Sequence, residues 1–218
     1  MTTTAAGSAV VDLASTSLRE LNRTLHDLAG PDPSSRRWQV QNPNGAHAVV
    51  CGLDAPLEVE ILGHVGYYCA SMNKLAVVRV RGNASQSAAA SGRGGLVVVE
   101  GDAGARCGIS MKGVDIVVGG SVGHLSAFMA QTGCLVVCGD AGEALGDSIY
   151  EAHLYVGGTV KSLGADCVHK PLRDHHRAEL ARLLNAGGVK GEIDISRFRR
   201  YGSARRLYQF RIDNIGSY

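Results

Sequence analysis

Glycine recurs through the middle of the chain at a fixed interval of 19 residues. An aliphatic residue stands two and four positions before each of these glycines, and the residues between them are mixed in polarity. Alternation with a period of two predicts a short β-strand before every glycine, with one face buried. The six repeat glycines are Gly63, Gly82, Gly101, Gly120, Gly139 and Gly158.

A 19-residue unit of this kind is too short to fold alone, but it can stack on a neighbour of the same shape. Seven positions after each repeat glycine the residue is Ala or Gly, as at Ala70, Gly108 and Ala127. This predicts a corner with no room for a larger side chain. The predicted fold class is all-β, a right-handed parallel β-helix (a solenoid) of about six to seven 19-residue coils, with short flanking helices.

The position directly after each repeat glycine is polar, as at His64, Asn83 and Asp102. We interpret these residues as turn residues whose short side chains bond the local backbone, in preference to a row of ligands.

The segments that flank the repeats are predicted to cover open strand edges or to bind partners. Ser17 and Glu20 form a capping box at the start of an amphipathic helix over residues 17–29, and residues 36–58 fit a further, irregular coil. A second helix is predicted over 174–186, capped by Asp174. The predicted organisation is an N-terminal segment with a helix and cap over 1–39, a β-helix over 40–172, and a C-terminal helix with an Arg-rich tail over 173–218.

Composition agrees with one core built from small aliphatic side chains. The chain has 218 residues, of which 45% are hydrophobic, 5% are aromatic and 29 are Gly, which disfavours a helix bundle. It contains no apolar run long enough to cross a bilayer and no basic start followed by a long apolar stretch, so we predict a cytoplasmic protein without membrane partners.

The chemistry-bearing side chains do not form a familiar site. The six Cys include no C-x-x-C pair and are predicted to be free, buried thiols. Cys134 and Cys138 would lie about 13 Å apart along a strand, too far to share a metal. His169, His175 and His176 crowd the start of the second helix without a ligand at metal spacing. We therefore predict no metal, no cofactor and no catalytic residue in this chain, which also lacks phosphate-loop and hydrolase motifs.

The tail from Arg197 to Arg211 contains six Arg and no acidic residue, interleaved with aromatic residues. Such a segment suits nucleic acid or a protein interface. The net charge of only +2 favours a protein partner. The residues predicted to form the partner interface are Arg197, Arg199, Arg200, Arg205, Arg206 and Tyr208.

Several strings within residues 40–172 resemble the GXGXG domain of the glutamate synthase large subunit. They are GHVGYYCASMN, EGDAGARCGISMKG, GGSVGHLSAFMAQTG and CGDAGEALGDSIYEA. Gly66–Ala70, Gly108–Gly113 and Gly146–Ala152 are more similar to the small, separate GXGXG subunit of heterotrimeric glutamate-synthase-like enzymes such as N-methylglutamate synthase.

The resemblance implies a non-catalytic assembly subunit of a glutamine-dependent complex in nitrogen metabolism. In that family one partner hydrolyses glutamine, and another, carrying FMN and an iron–sulfur cluster, performs the synthase chemistry. The glutaminases use an N-terminal Cys, whereas the first Cys here is Cys51. Two alternatives stay open. One is a subunit of a formylmethanofuran-dehydrogenase-like complex with molybdenum or tungsten partners, and the other is an independent solenoid that acts on or binds a ligand.

Overall fold

The computed structural model describes residues 2–3, 9–28, 36–189 and 194–205. In these residues eleven strands form one sheet, in the order β1-β2-β3-β4-β5-β6-β7-β8-β9-β11-β10. The strands are β1 Thr2–Thr3, β2 Ala9–Asp12, β3 Arg37–Gln41, β4 Glu58–Ile61, β5 Val77–Val80, β6 Leu96–Val99, β7 Lys112–Val118, β8 Thr132–Val137, β9 His153–Val156, β10 Cys167–Lys170 and β11 Arg199–Ser203. The helices are α1 Leu18–Asp27, α2 Asp174–Gly187 and a 3-10 turn Ile195–Arg197.

Strands β4 to β9 are parallel and pair in one register, apart from a shift at the start of β7, where Lys112 faces Thr132. Val59 faces Val78, Val78 faces Val97, and the step of 19 residues continues to Leu154. A second ladder of single bridges runs from Val65 through Ala84 to Val160 with the same step. The chain is therefore a parallel β-solenoid in which each glycine-ended repeat is one coil, as predicted.

The strand residues two and four before each repeat glycine point into the solenoid and fill its core. They are almost completely buried, with exposed fractions of 0 to 1%. Neighbouring coils place these Val, Ile and Leu side chains directly above one another, about 4.8 Å apart. The interior is thus a continuous aliphatic column, which leaves the outward side chains to carry any specific function.

In each coil, the segment that follows the single-bridge residue contains residues with positive φ at alternating positions. In the second coil these are Tyr68, Ala70 and Met72, with φ of 62°, 53° and 58°. The middle residue is fully buried, and a Cβ added at its equivalent Gly108 would lie 2.9 Å from the Ile116 side chain. The predicted lack of room is confirmed, whereas the left-handed backbone was not predicted.

The polar residues after the repeat glycines bond to the next coil and not to their own turn. Asp102 N–H donates to Asn83 Oδ1 at 2.9 Å, and Ser121 N–H donates to Asp102 Oδ1 at 2.7 Å. The same contact joins His64 to Asn83, Ser121 to Asp140, and Asp140 to Thr159. Our interpretation of these residues as local turn formers was wrong about their hydrogen-bond partner. Stacking places each side chain beneath the equivalent backbone amide of the next coil, and the side chain accepts from that amide.

The N-terminal segment closes one end of the solenoid. Ser17 Oγ accepts from Glu20 N–H at 3.2 Å, so the predicted cap of α1 is present, and Leu21 and Leu25 are buried against the core. Asn22 donates to Ala48 O at 2.9 Å, which holds α1 over the first coil. That coil is the predicted irregular one, since Trp38 pairs with Val59, a step of 21 residues.

The C-terminal segment covers the other end and part of the outer face. Strand β11 lies antiparallel between β9 and β10, where Arg200 pairs with Tyr155. Helix α2 packs Leu180, Leu183 and Leu184 on the outward side chains of β6 to β9. It begins after Arg173, so Asp174 is its first residue and not the cap we predicted.

Helix α2 ends at Gly187 and is capped by Gly188, which has φ 62°. There the Arg79 guanidinium donates to the carbonyl oxygens of Ala186 and Gly187, the latter at 2.6 Å. A cation at a helix C-terminus satisfies carbonyls that have no partner within the helix. Arg79 thereby fixes the end of α2 on the sheet.

Replacing Ala127 with Leu is expected to destabilise the fold by about 1 to 3 kcal/mol, because the added side chain must enter the filled core. Chemical denaturation measures this. Ala144→Leu is the matched control, since Ala144 has the same left-handed backbone, at φ 55°, and Leu125 occupies its position in the preceding coil at φ 56°. Equal stability of Ala127→Leu and the parent chain would contradict the coil register.

Replacing Asp102 with Ala is expected to lower the free energy of unfolding by about 0.5 to 1.5 kcal/mol, because Ser121 N–H loses its acceptor. Asp102→Asn should be nearly neutral, since Asn83 makes the same contact one coil earlier. Thermal or urea unfolding distinguishes the two variants. Equal losses in both would show that the side-chain ladder contributes through charge and not through its hydrogen bonds.

Candidate functional site

The repeat glycines have a structural role in this chain. A Cβ on Gly101 would lie 2.0 Å from Asn83 Oδ1, and one on Gly120 would lie 2.2 Å from Asp102 Oδ1. Gly139 and Gly158 meet the preceding ladder residue in the same way, and Gly82 meets the backbone of Gly63 at 2.8 Å. The column of glycines therefore makes space for the hydrogen-bond ladder, and these residues contribute no reactive group.

The residues predicted to bind a partner are spread over the C-terminal end. Arg197 and Arg199 are exposed, Arg200 is half-buried, and Arg205 is exposed and pairs with Asp166. Arg206 and Tyr208 lie outside the described residues. Strand β11 belongs to the sheet, and its Tyr201 is buried at 6% exposure. Part of the Arg-rich tail is thus an end cap of the solenoid, while its role in partner binding stays a prediction.

Arg205 borders a groove at this end of the solenoid, which we call the end groove. Its volume is about 580 Å³. Its lining combines apolar, polar and charged side chains: Met129, Gln131, Thr132, Ser148, Tyr150, Glu151 and Arg205. A neighbouring depression of 300 Å³ adds Arg200 and Lys170 to the same region. The structure thus brings Arg200 and Arg205 together and leaves Arg197 apart.

Met129 belongs to a set of large apolar side chains that are exposed on the solenoid wall. Met129 is 51% exposed, and Met72, at the same position three coils earlier, is 53% exposed. Between them Ser91 and Ser110 occupy this position. Tyr67, Tyr68 and Leu75, close to Met72 in the sequence, are also exposed, at 42 to 56%. Exposed Met and Tyr on a rigid wall are typical of protein interfaces.

The outer face of the sheet is divided in two. Helix α2 covers β6 to β9, whereas β3 to β6 form an open groove of 460 Å³. Charged residues cross this open part, where Arg81 lies between Glu60 at 2.6 Å and Glu100. Burial opposes ionisation of the Glu60 carboxyl, but Arg81, Gln39 and Arg79 together outweigh it and lower the pKa. The open groove mixes apolar and charged side chains, and the charges of Glu60 and Arg81 are paired with each other.

Under α2 lies a polar cluster that the sequence did not reveal. The Glu179 carboxylate Oε2 lies 2.8 Å from His153 Nδ1 and accepts from the Tyr155 hydroxyl. One ligand atom each of Cys134, His153 and Glu179 lie within 4.8 Å of one another. The sequence pairs Cys134 with Cys138 as possible metal ligands, and it places His169 with His175 and His176 at the start of the second helix. In the structure His169 instead packs edge-on against Tyr201, 5.8 Å away.

The pKa values of the residues in this cluster shift in opposite directions. Burial opposes ionisation of Glu179, but hydrogen bonds from Tyr155 and His153 outweigh it and lower the pKa of the carboxyl. Burial and the Glu179 charge raise the pKa of the Tyr155 hydroxyl. Burial, followed by the charges of Asp115 and Glu179, raises the pKa of the Cys134 thiol. The buried His176 beside it accepts from Arg173 N–H at 3.1 Å, and burial lowers its pKa to about 4.

The thiols of the described chain are all free, as predicted, but Cys51 and Cys138 are half-buried and not buried as predicted. Burial raises the pKa of Cys107 to about 12 and those of Cys138 and Cys167 to about 11. A thiol attacks carbon only as the thiolate. The raised pKa values favour the protonated form of these three thiols at neutral pH.

Among the described residues, no helix is both long and apolar enough to cross a membrane.

No protein-family profile matches the chain, and no solved structure matches it. A curated relative does match: protein GlxC of Rhizobium meliloti (strain 1021) is 52% identical over 228 aligned residues, which cover 96% of this chain and 99% of the relative. At this identity and coverage, the chain belongs to the same family as protein GlxC.

Proposed function

We propose that this chain is a non-catalytic assembly subunit of a glutamine-dependent complex of the glutamate synthase or N-methylglutamate synthase type. In this proposal it docks a glutaminase subunit to a synthase subunit that carries FMN and an iron–sulfur cluster. The resemblance of the GXGXG strings supports the type of complex. The filled core and protonated thiols support a role without chemistry of its own.

The end groove is the observation that carries the proposal. Met129 and Tyr150 lie beside Arg205 and Glu151 in this groove. Met, Tyr and Arg are the residue types enriched in protein interfaces, and charged groups at the edge of an interface select the partner. Backbone hydrogen bonds between coils hold these side chains in place, so a partner would meet a surface that is already ordered.

The sheet edges support the same proposal. Strand β11 covers the edge of β9, and β10 follows it with only four residues. A sheet that ends in a very short strand is a poor template for end-to-end stacking with copies of itself. The side walls are then the surfaces left for partner subunits, and the end groove lies on one of them.

The test is purification of the chain from its native cells with an N-terminal tag, followed by mass spectrometry and visible spectroscopy of what accompanies it. The proposal expects a glutaminase and a yellow-brown flavin and iron–sulfur subunit. Molybdenum or tungsten partners would favour the formylmethanofuran-dehydrogenase alternative. A solitary, colourless chain would contradict the proposal and leave the independent ligand-binder.

Met129→Ser combined with Arg205→Ala is expected to reduce the recovered partners at least about tenfold while the melting temperature stays within about 3 °C. The reason is that exposed side chains contribute little to the fold, whereas central interface residues often contribute more than 1 kcal/mol each to binding.

Met72→Ser is the matched control, because Met72 has the same coil position, a positive φ of 58° and nearly the same exposure as Met129. Full recovery of the partners with the Met129 and Arg205 double variant would contradict docking in the end groove. An equal loss with Met72→Ser would also contradict it, since the interface would then follow the whole wall.

A further inference from the structure

Side chains of types that can bind metal ions form a row across three successive coils beneath α2. In the parallel register Asp115 faces Cys134, and Cys134 faces His153. All three stand five positions before a repeat glycine, on the outward side of the sheet. Adjacent strands are about 4.8 Å apart, so the repeat alone places these three groups side by side.

Helix α2 adds a carboxylate above this row. Glu179 Oε2 lies 2.8 Å from His153 Nδ1, and ligand atoms of Cys134, His153 and Glu179 are mutually within 4.8 Å. Cys134 is 5% exposed, whereas the side chains of His153 and Glu179 are 30% and 28% exposed. Solvent can therefore reach the cluster from the side of His153 and Glu179.

We propose that Cys134, His153 and Glu179 bind one zinc ion, which fastens α2 to the β-solenoid. Thiolate sulfur, imidazole nitrogen and carboxylate oxygen are the three ligand types that zinc uses in proteins. Bond lengths of about 2.0 to 2.3 Å in a tetrahedron require ligand atoms roughly 3.3 to 3.8 Å apart. His153 and Glu179 thus need to separate by roughly 0.5 Å, and Cys134 needs only to approach.

The surroundings fit a metal centre. Tyr155 donates to Glu179 and would keep this hydrogen bond while the carboxylate binds zinc, as groups that surround metal ligands commonly do. Asp115 flanks Cys134 on the next strand and is paired with Arg182 at 3.3 Å. A water molecule would complete the tetrahedron. Binding converts the Cys134 thiol to the thiolate and releases its proton to solvent, so charge and atoms balance.

The other interpretation of the cluster is a hydrogen-bonded contact that holds α2 without a metal. It accounts for His153, Tyr155 and Glu179, and it gives the Cys134 thiol hydrogen bonds to the carboxylates of Glu179 and Asp115. The two interpretations therefore differ in the state of Cys134, which is a hydrogen-bonded thiol in the contact without a metal and a zinc-bound thiolate in the zinc site.

The test uses the full chain without a histidine tag, stripped with a chelator and titrated with cobalt(II) and then zinc. We expect one metal ion per chain, a tetrahedral cobalt spectrum with a thiolate-to-cobalt charge-transfer band, and loss of that spectrum when zinc displaces cobalt. Zinc is also expected to raise the melting temperature, because it binds the folded chain.

Cys134→Ser is expected to remove the charge-transfer band and to weaken zinc binding at least about tenfold. Cys138→Ser and His175→Gln are the controls, since each removes the same kind of group nearby without touching the cluster, and both should keep the band. If Cys134→Ser does not fold, Glu179→Gln on the helix should weaken zinc binding while preserving the thiolate band. Absence of stoichiometric binding in the parent chain, or the same band in Cys134→Ser, would overturn the proposal.

Discussion

The constant hydrogen-bond register between successive coils is the constraint on which the rest of the structure depends. Backbone amides in one coil donate to carbonyls in its neighbour along the strands, along the single bridges and along the left-handed segments. One residue inserted between repeat glycines would shift every following side chain relative to its partner. The aliphatic core, the small residues at the corner and the column of glycines all follow from this register.

The same register converts a linear repeat into rows of side chains on the outside. Positions that face inward are nearly invariant in character, whereas those that face outward change from coil to coil. One outward row places Val98, Val117 and Val136 under α2, and another places Asp115, Cys134 and His153 side by side. Surface chemistry can therefore differ between coils without disturbing the fold, which suits the assembly role that we propose.

The periodic part of the molecule could be predicted from the sequence, because each coil repeats the same local pattern. The strands before Gly63 to Gly158, the small residue at Ala127 and the start of α1 at Ser17 follow from local chemistry. The left-handed backbone at Tyr68 and Met72 could not be predicted, because residues of these types rarely adopt positive φ. Only stacking against the neighbouring coils, through bonds such as Tyr68 N–H to Gln86 O, accounts for it.

The non-periodic contacts escaped prediction for a different reason. Neither the insertion of β11 between β9 and β10 nor the approach of Glu179 to Cys134 has a sequence period, since each joins segments that are folded back from outside the repeats. The equal spacing of Asp115, Cys134 and His153 was visible in the sequence. Its meaning depended on knowing that this coil position faces outward and is covered by α2.

Hydrogen–deuterium exchange, compared between the isolated chain and its native assembly, tests most directly whether the chain is a self-contained scaffold. The account predicts slow exchange through the strands of β4 to β9 in both samples, because their amides are bonded between coils. It further predicts that the assembly adds protection mainly around the end groove, at residues 129–132 and 148–151. Fast exchange throughout the coils of the isolated chain would contradict a preformed scaffold.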